Sequence, residues 1–295
     1  MNVLLVANDK KDVDLSFTKE VEKYLKEKNV NIYYDYKLML DTEGLNKIKE
    51  KDLKSMDFAL IIGGDGTVLK YAFKYGEYDF PFVAINFGRV GALADIEADE
   101  YKKYIDKILN KDYYIEERMG LECSIYSDGY CGSVEFVGYN DIILHRSLSM
   151  KLLPIIIGVN DSQKDLFYAD GIVVATPSGS SAYNVSAGGP LLSLSSNVYV
   201  ITPICPQSKS FTSLVVGEND TISLAIADNA NVDINEVAIS IDGQGPYFIE
   251  KNEKIRISKA KTSLKMIKFN ESVSAYKTVH KAVVSIEKKG EKYSV

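Results

Sequence analysis

Hydrophobic residues in the first third of the chain fall into two alternating patterns. Short apolar runs at Val3 to Ala7, Val30 to Tyr34, Phe58 to Ile62 and Phe82 to Asn86 read as strands. Phe17, Val21, Tyr24 and Leu25 recur at helical spacing, which predicts an amphipathic helix from Asp14 to Lys28. A second helix follows the third strand and runs to about Lys74, and a third covers Glu100 to Leu109. Strand-helix alternation of this kind implies a doubly wound, mostly parallel sheet. Ligands on such sheets bind at the carboxyl ends of the strands.

Beyond about Met119 the texture changes. Val, Ile, Tyr, Thr and Ser dominate, and turn signals recur at Asp128-Gly129, Asn160-Asp161 and Asp242-Gly243. Strands are predicted at Glu122 to Tyr126, Glu135 to Leu144, Ile155 to Val159 and Ile172 to Ala175. Others are predicted at Val198 to Ile201, Thr221 to Ala225, Val237 to Ile241 and Lys254 to Ser258. The expected fold is therefore an α/β N-terminal domain (residues 1–118) followed by an all-β, sandwich-like C-terminal domain (residues 119–268). A tail, residues 269–295, is expected to pack back on the first domain, with its lysine-rich end (Glu287 to Lys292) solvated.

Composition narrows the function classes. The 295 residues are 46% hydrophobic and 26% charged, as in ordinary globular proteins. A net charge of −6 argues against a general nucleic-acid binder, which needs a basic surface. It leaves room for a small anionic ligand, because a local nest of amides needs no net positive charge. The N-terminus has no basic leader, and no stretch approaches the roughly 20 apolar residues of a membrane span. The chain reads as cytoplasmic.

Cys123, Cys131 and Cys205 are odd in number and irregular in spacing, so they read as reduced thiols. Pairing about Asp128-Gly129 would set Cys131 opposite Tyr126 rather than Cys123. With only His145 and His280 present, a His-rich zinc site is not expected. No G-x-S-x-G elbow supports a Ser-His-Asp triad.

The strand at Phe58 to Ile62 runs into Gly63-Gly64-Asp65-Gly66-Thr67 and then a helix. Glycines there permit a sharp turn and close approach of a ligand. Unpaired amides at the helix start suit phosphate oxygens. Asp65 would repel phosphate unless it has a task. Two tasks fit: holding a metal that bridges phosphates, or taking a proton from an attacking hydroxyl. Both belong to phosphoryl transfer. A second small-residue stretch, Asp170 to Pro190, carries T-P-S-G-S-S-A-Y after a strand, with serine hydroxyls and Tyr183 available to a polar ligand.

Taken together, G-G-D-G-T and the T-P-S-G-S-S-A-Y and S-A-G-G-P segments resemble the NAD kinase family. Ala84 to Ala94 looks like its N-x-G-x-x-G-F-L segment, Ile201 to Pro206 like T-P-I-C-P, and Asp242-Gly243-Gln244 like D-G-Q. The resemblance implies ATP-dependent phosphorylation of NAD at the adenosine ribose 2′-hydroxyl, with Mg²⁺ or another divalent cation accompanying ATP. It implies Asp65 as general base, Gly66 as a place where NAD lies against the backbone, and Lys70 as a ligand contact. Asn140 would meet the adenine edge and Asp141 the ribose hydroxyls. Asp170, Ser181, Ala182, Tyr183 and Ser186 would complete the dinucleotide pocket, with Gln244 a weaker member. Asn86, Phe87 and Gly88 would line the same cleft. Kinship also implies a homo-oligomer (dimer or homotetramer), while charge and hydropathy lead to no expected nucleic-acid or membrane partner.

The chain departs from the family pattern in places. Asp141 replaces the usual Glu and is one methylene shorter. Gln207 stands where His is common, Thr212-Ser213 where Arg-Pro is common, and Tyr276 to Ala282 replaces the Leu-Arg-x-Lys-Leu stretch. Two rivals share part of the pattern. A lipid kinase of the diacylglycerol or sphingosine type would carry G-G-D-G-T, and a non-catalytic sensor would bind the dinucleotide without turnover.

Overall fold

The computed structural model describes residues 1–35, 46–87, 91–127, 133–147, 151–160, 164–208, 211–227, 234–250 and 252–270. Gly88, the Asp128-Gly129 turn, Cys131, Asp161 and the tail beyond residue 270 lie outside them. The chain divides into two units: residues 1–117 with those from 264 onward, and residues 118–263.

The first unit begins with β1 (Asn2–Ala7), α1 (Ser16–Glu27), β2 (Asn31–Tyr34), β3 (Asn46–Lys47) and α2 (Glu50–Leu53). It continues with β4 (Phe58–Gly63), α3 (Asp65–Tyr75), β5 (Phe82–Asn86), β6 (Ile96–Glu97), α4 (Tyr101–Leu109) and β7 (Tyr114–Arg118). Every residue of β4 and β5 is buried, which is why these strands read as unbroken apolar runs instead of alternating ones. Leu4, Leu60, Ile61, Ile85, Val21 and Leu25 are fully buried. Each such side chain contributes roughly 1.5–3 kcal/mol of transfer free energy. The buried Asp12 carboxylate fixes the start of α1 by accepting the amides of Phe17 and Thr18.

The second unit contains β8 (Leu121–Ser127), β9 (Ser133–Gly138), β10 (Asp141–Arg146), β11 (Leu153–Val159), β12 (Asp165–Ala169) and β13 (Gly171–Ala175). After a short helix, α5 (Tyr183–Ser186), come β14 (Val198–Ile204), β15 (Leu214–Gly217) and β16 (Ile222–Ile226). It ends with β17 (Val237–Ile241), β18 (Gln244–Phe248) and β19 (Glu253–Lys259). Two six-stranded antiparallel sheets form a sandwich, ordered β15-β14-β13-β10-β17-β18 and β12-β11-β16-β19-β8-β9. β17 and β18 meet at the two-residue turn Asp242-Gly243, where φ is 50° and 72°. Positive φ at both positions is what a type I′ hairpin requires, and Asp-Gly supplies it.

Three expectations change. The run from Glu135 to Leu144 is two strands in two different sheets, because the chain crosses between the sheets at Tyr139 and Asn140. Residues 264–268, expected to close the second domain, form β20 (Leu264–Lys268), which lies between β5 and β7 in the first sheet. That sheet then runs β3-β2-β1-β4-β5-β20-β7, with β6 also paired to β5, and the β1, β2, β4, β5 and β20 pairings are parallel. The third concerns register. Ser133 stands opposite Tyr126, and Phe136 opposite Cys123, so the β8-β9 connection is longer than two residues. Cys123 and Cys205 are free thiols.

Candidate active site

In the first unit the carboxyl ends of β1 and β4 lie side by side, so the loops leaving them are neighbours. Those loops enclose a cleft of about 630 Å³. One wall is Gly64 to Thr67 with Lys70 and Tyr71; the other is Ala7 to Lys11, and Gly91 closes it. The side-chain amide of Asn8 donates to the Thr67 hydroxyl at 2.9 Å and ties the two loops together. Lys11 reaches over the glycine turn: a Cβ on Gly64 would come within 3.0 Å of its Nζ. Lys10, Lys11 and the exposed Lys70 thus give the cleft a cationic lining around the amides of the turn. A phosphate chain suits such a surface.

Asp65, the first residue of α3, does not hang free in this cleft. Oδ2 accepts the amide of Ala92 at 2.7 Å, and Oδ1 accepts those of Leu93 and Ala94 at 3.1 and 3.0 Å. The approach is so close that a Cβ on Gly91 would lie 2.0 Å from Oδ1. An ionised carboxylate offers about four acceptor positions. Three are used by amides, which fixes the plane of the group and leaves one position on Oδ2 for a further donor.

In the second unit another carboxylate does the orienting. Asp242 accepts the amides of Tyr139, Asn140 and Asp141 at 2.7, 2.7 and 3.0 Å. It thereby holds the Asn140-Asp141 pair at the start of β10. Asp141 is buried, and burial followed by the Asp242 charge pushes its pKa up to about 7. Burial also raises Asp242, but its three amide bonds offset part of the effect. The Asn140 carbonyl accepts the Thr176 amide at 2.9 Å, and a Cβ on Gly179 would come 2.0 Å from that same oxygen. Thr176 donates from its hydroxyl to Tyr139 O and accepts the Gly179 amide. The T-P-S-G segment is therefore packed directly on the Asn-Asp pair.

The other sequence-derived positions fall as follows. Asn86 is buried at the end of β5, and its Oδ1 has no hydrogen-bond partner among the described residues. Phe87 stacks on Phe17 of α1, with ring centroids 5.1 Å apart. Asp170 pairs with Arg146 at 3.0 Å. Ser181 donates to Ser178 O, and the Ala182 amide donates to Gly179 O. Tyr183, 44% exposed, opens α5, and Ser186 ends it. Gln244 begins β18. Among the departures, Gln207 is exposed, and Ser213 accepts the Thr202 hydroxyl at 3.2 Å.

Several residues of these clusters were not anticipated. Asn8, Asp9, Lys10 and Lys11 directly follow β1, and the rule that ligands sit at carboxyl ends of strands would have pointed to them. Asn184 looks like a helix residue in sequence. It is fully buried and donates to Ser180 O and Pro190 O while accepting Thr202 Oγ1. Gly91 and Asp242 stand in segments that the sequence marks, but the close approach of Gly91 to Asp65 and the clamp of Asp242 on residues 139–141 carry no local signal.

A glycine turn, lysines and an oriented carboxylate at the ends of parallel strands are the equipment of a phosphotransferase. Comparison with known proteins makes that class specific. The models for the ATP-NAD kinase N-terminal and C-terminal domains match residues 3–113 and 139–269. The chain belongs to the ATP-NAD kinase family. An NAD kinase of Caldanaerobacter subterraneus subsp. tengcongensis is 34% identical over 270 residues, covering 91% of this chain and 94% of that one. An NAD kinase of Lachnoclostridium phytofermentans is 30% identical over 265 residues, covering 90% and 92%. Two solved structures share the fold. Yeast NADH kinase complexed with NADH gives a TM-score of 0.81 at 23% identity, covering 100% of this chain and 89% of that one. An NAD kinase from Archaeoglobus fulgidus in complex with ATP gives 0.75 at 22% identity, covering 97% and 99%.

Proposed function

We propose that the chain transfers the γ-phosphoryl group of ATP to the 2′-hydroxyl of the adenosine ribose of NAD, with Asp65 as general base. The observation that carries this reading is the three-amide cradle of Asp65 beside a lysine-lined cleft. The carboxylate is fixed in direction and retains one acceptor position on Oδ2. In the proposed step that oxygen takes the hydroxyl proton while the ribose oxygen attacks the γ-phosphorus. The bond from that phosphorus to the β,γ-bridging oxygen breaks, and ADP leaves. Lys70 and Lys11 neutralise phosphate charge, and the amides of the Gly64-Asp65-Gly66 turn receive phosphate oxygens. Asn140 and Asp141, held by Asp242, receive the adenine edge and the ribose hydroxyls.

Among the described residues no three His, Cys, Asp or Glu side chains gather into a metal site. Mg²⁺ usually arrives with substrate phosphates and needs only one or two protein carboxylates. The cleft fits that mode, with Asp9 the residue to hold the ion. The ion would offset phosphate charge. Free thiols at Cys123 and Cys205 suit a reducing, cytoplasmic setting. Exposed Leu214 and Val215 on β15, with Leu166 and Tyr168 on β12, favour a homo-oligomer through sandwich edges. Among the described residues no helix is long and apolar enough to cross a membrane.

The test is a coupled assay with ATP, Mg²⁺ and NAD. Asp65→Asn should lower kcat by about 10²–10⁴-fold while NAD still binds. Full activity in that variant would remove the general base. Turnover of diacylglycerol without NADP, or tight NAD binding without any product, would replace the whole proposal.

A further inference from the structure

The cradle of Asp65 is itself held from behind. Residues 91–94 form a stretch without regular secondary structure, and their amides turn toward Asp65. An irregular segment keeps three parallel amides aimed at one group only if its carbonyls and side chains are fixed elsewhere. Two bonds from one lysine do this. Lys268, the last residue of β20, donates from Nζ to the Leu93 carbonyl at 3.4 Å and to Asp95 Oδ2 at 2.9 Å. Its side chain is 6% exposed, whereas that of Asp95 is 27% exposed. A buried ammonium carries a large desolvation penalty and persists only when its donors are engaged. On an ordinary strand the position would be apolar, as its neighbours Met266 and Ile267 are.

We propose that Lys268 is a positioning residue for phosphoryl transfer, acting through the 91–95 segment to hold the Asp65 carboxylate in its working direction. The connection is one peptide long. The Leu93 carbonyl accepts from Lys268, and the amide of that same peptide group, Ala94 N–H, donates to Asp65 Oδ1. The Asp95 ion pair anchors the other end of the segment. Without the ammonium the Leu93 carbonyl is buried with one partner fewer, and the segment is free to rotate its amides off the carboxylate. Small displacements of a reacting group cost much in rate and little in substrate affinity.

The inference rests on Asp65 as general base, and the experiment separates the two. The full chain is compared with Lys268→Met, Lys268→Arg, Asp65→Asn and the Lys268→Met/Asp65→Asn double variant. Lys265→Met, on the same strand but paired with Asp79, is the control. Lys268→Met should lose roughly 10²-fold in kcat per folded molecule, with KM for NAD and ATP nearly unchanged. Lys268→Arg should recover most of that loss, and Lys265→Met should show none of it. Hydrogen exchange of the Ala92, Leu93 and Ala94 amides should quicken in Lys268→Met but not in Lys268→Arg or Lys265→Met. In the Asp65→Asn background the Lys268→Met loss should vanish, because both act on the same proton. If Lys268→Met keeps its kcat, or multiplies the Asp65→Asn loss in full, the inference falls. If Asp65→Asn is fully active, the base assignment falls instead. Should Lys268→Met fail to fold, Asp95→Asn tests the same tether from its more exposed side. A reduced kcat with faster exchange at residues 92–94 is expected there, and wild-type values for both overturn the inference.

Discussion

Asp141 and Asp242 occupy one poorly solvated site, and Asp242 takes all three of the available amides. Asp141 is left with burial and a like-charged neighbour, which is why its pKa rises to about 7. The sign of the consequence follows. A carboxylate whose pKa is raised on folding binds more protons in the native than in the unfolded chain. Its contribution is therefore fully present below the unfolded value of about 4 and is lost as pH climbs through the folded value. Stability should fall between about pH 4 and 7, with a slope from this residue of up to about 1.4 kcal/mol per pH unit. Asp141→Asn should flatten that slope, as measured by urea unfolding across the range. An unchanged slope would mean that Asp141 is ionised in the native protein throughout.

The elements differ in how far they can be read from sequence, and the reason is physical. β1, β4, β5, α1, α3 and α4 fall within about two residues of their expected ends, because burial on two faces and helical spacing are local signals. The break between β9 and β10 is not local. It is made where Tyr139, Asn140 and Asp141 turn their amides to a carboxylate about 100 residues away. No window of sequence around Glu135 contains that information. Site residues divide in the same way. Asp65 and Lys70 stand on a motif, whereas Lys11 is one lysine among many until β1 and β4 are known to be neighbours. Packing of the T-P-S-G segment on Asn140 also becomes visible only in three dimensions, and it gives an element-level prediction. Gly179→Ala places a methyl against a backbone carbonyl, which cannot rotate away. Overpacking of this kind costs about 1–3 kcal/mol. Both a lower melting temperature and a raised KM for NAD are expected from calorimetry and steady-state kinetics. A raised KM with unchanged melting would still place Gly179 at the dinucleotide, whereas neither change would detach it from Asn140.

At the scale of the whole molecule, the first sheet is discontinuous in sequence. β20 arrives after the entire sandwich and inserts between β5 and β7. Met266 and Leu264 on β20 are buried there, as is Phe269, which packs on Tyr104 at 4.6 Å between ring centroids. A fragment of residues 1–117 lacks this interior strand and should not fold cooperatively, while residues 118–263 contain both sandwich sheets whole. Circular dichroism and thermal melts of the two fragments check this. A cooperative melt of the first fragment would show that β20 is dispensable to the sheet.

The same threading has a temporal side. A ribosome releases Asp65 long before it releases Lys268, with the whole sandwich made in the interval. Until that late strand docks, the segment behind the aspartate lacks its bonds from Lys268. Nascent chains should therefore turn nothing over until β20 has been made, so that activity appears abruptly with that strand rather than building up along the way.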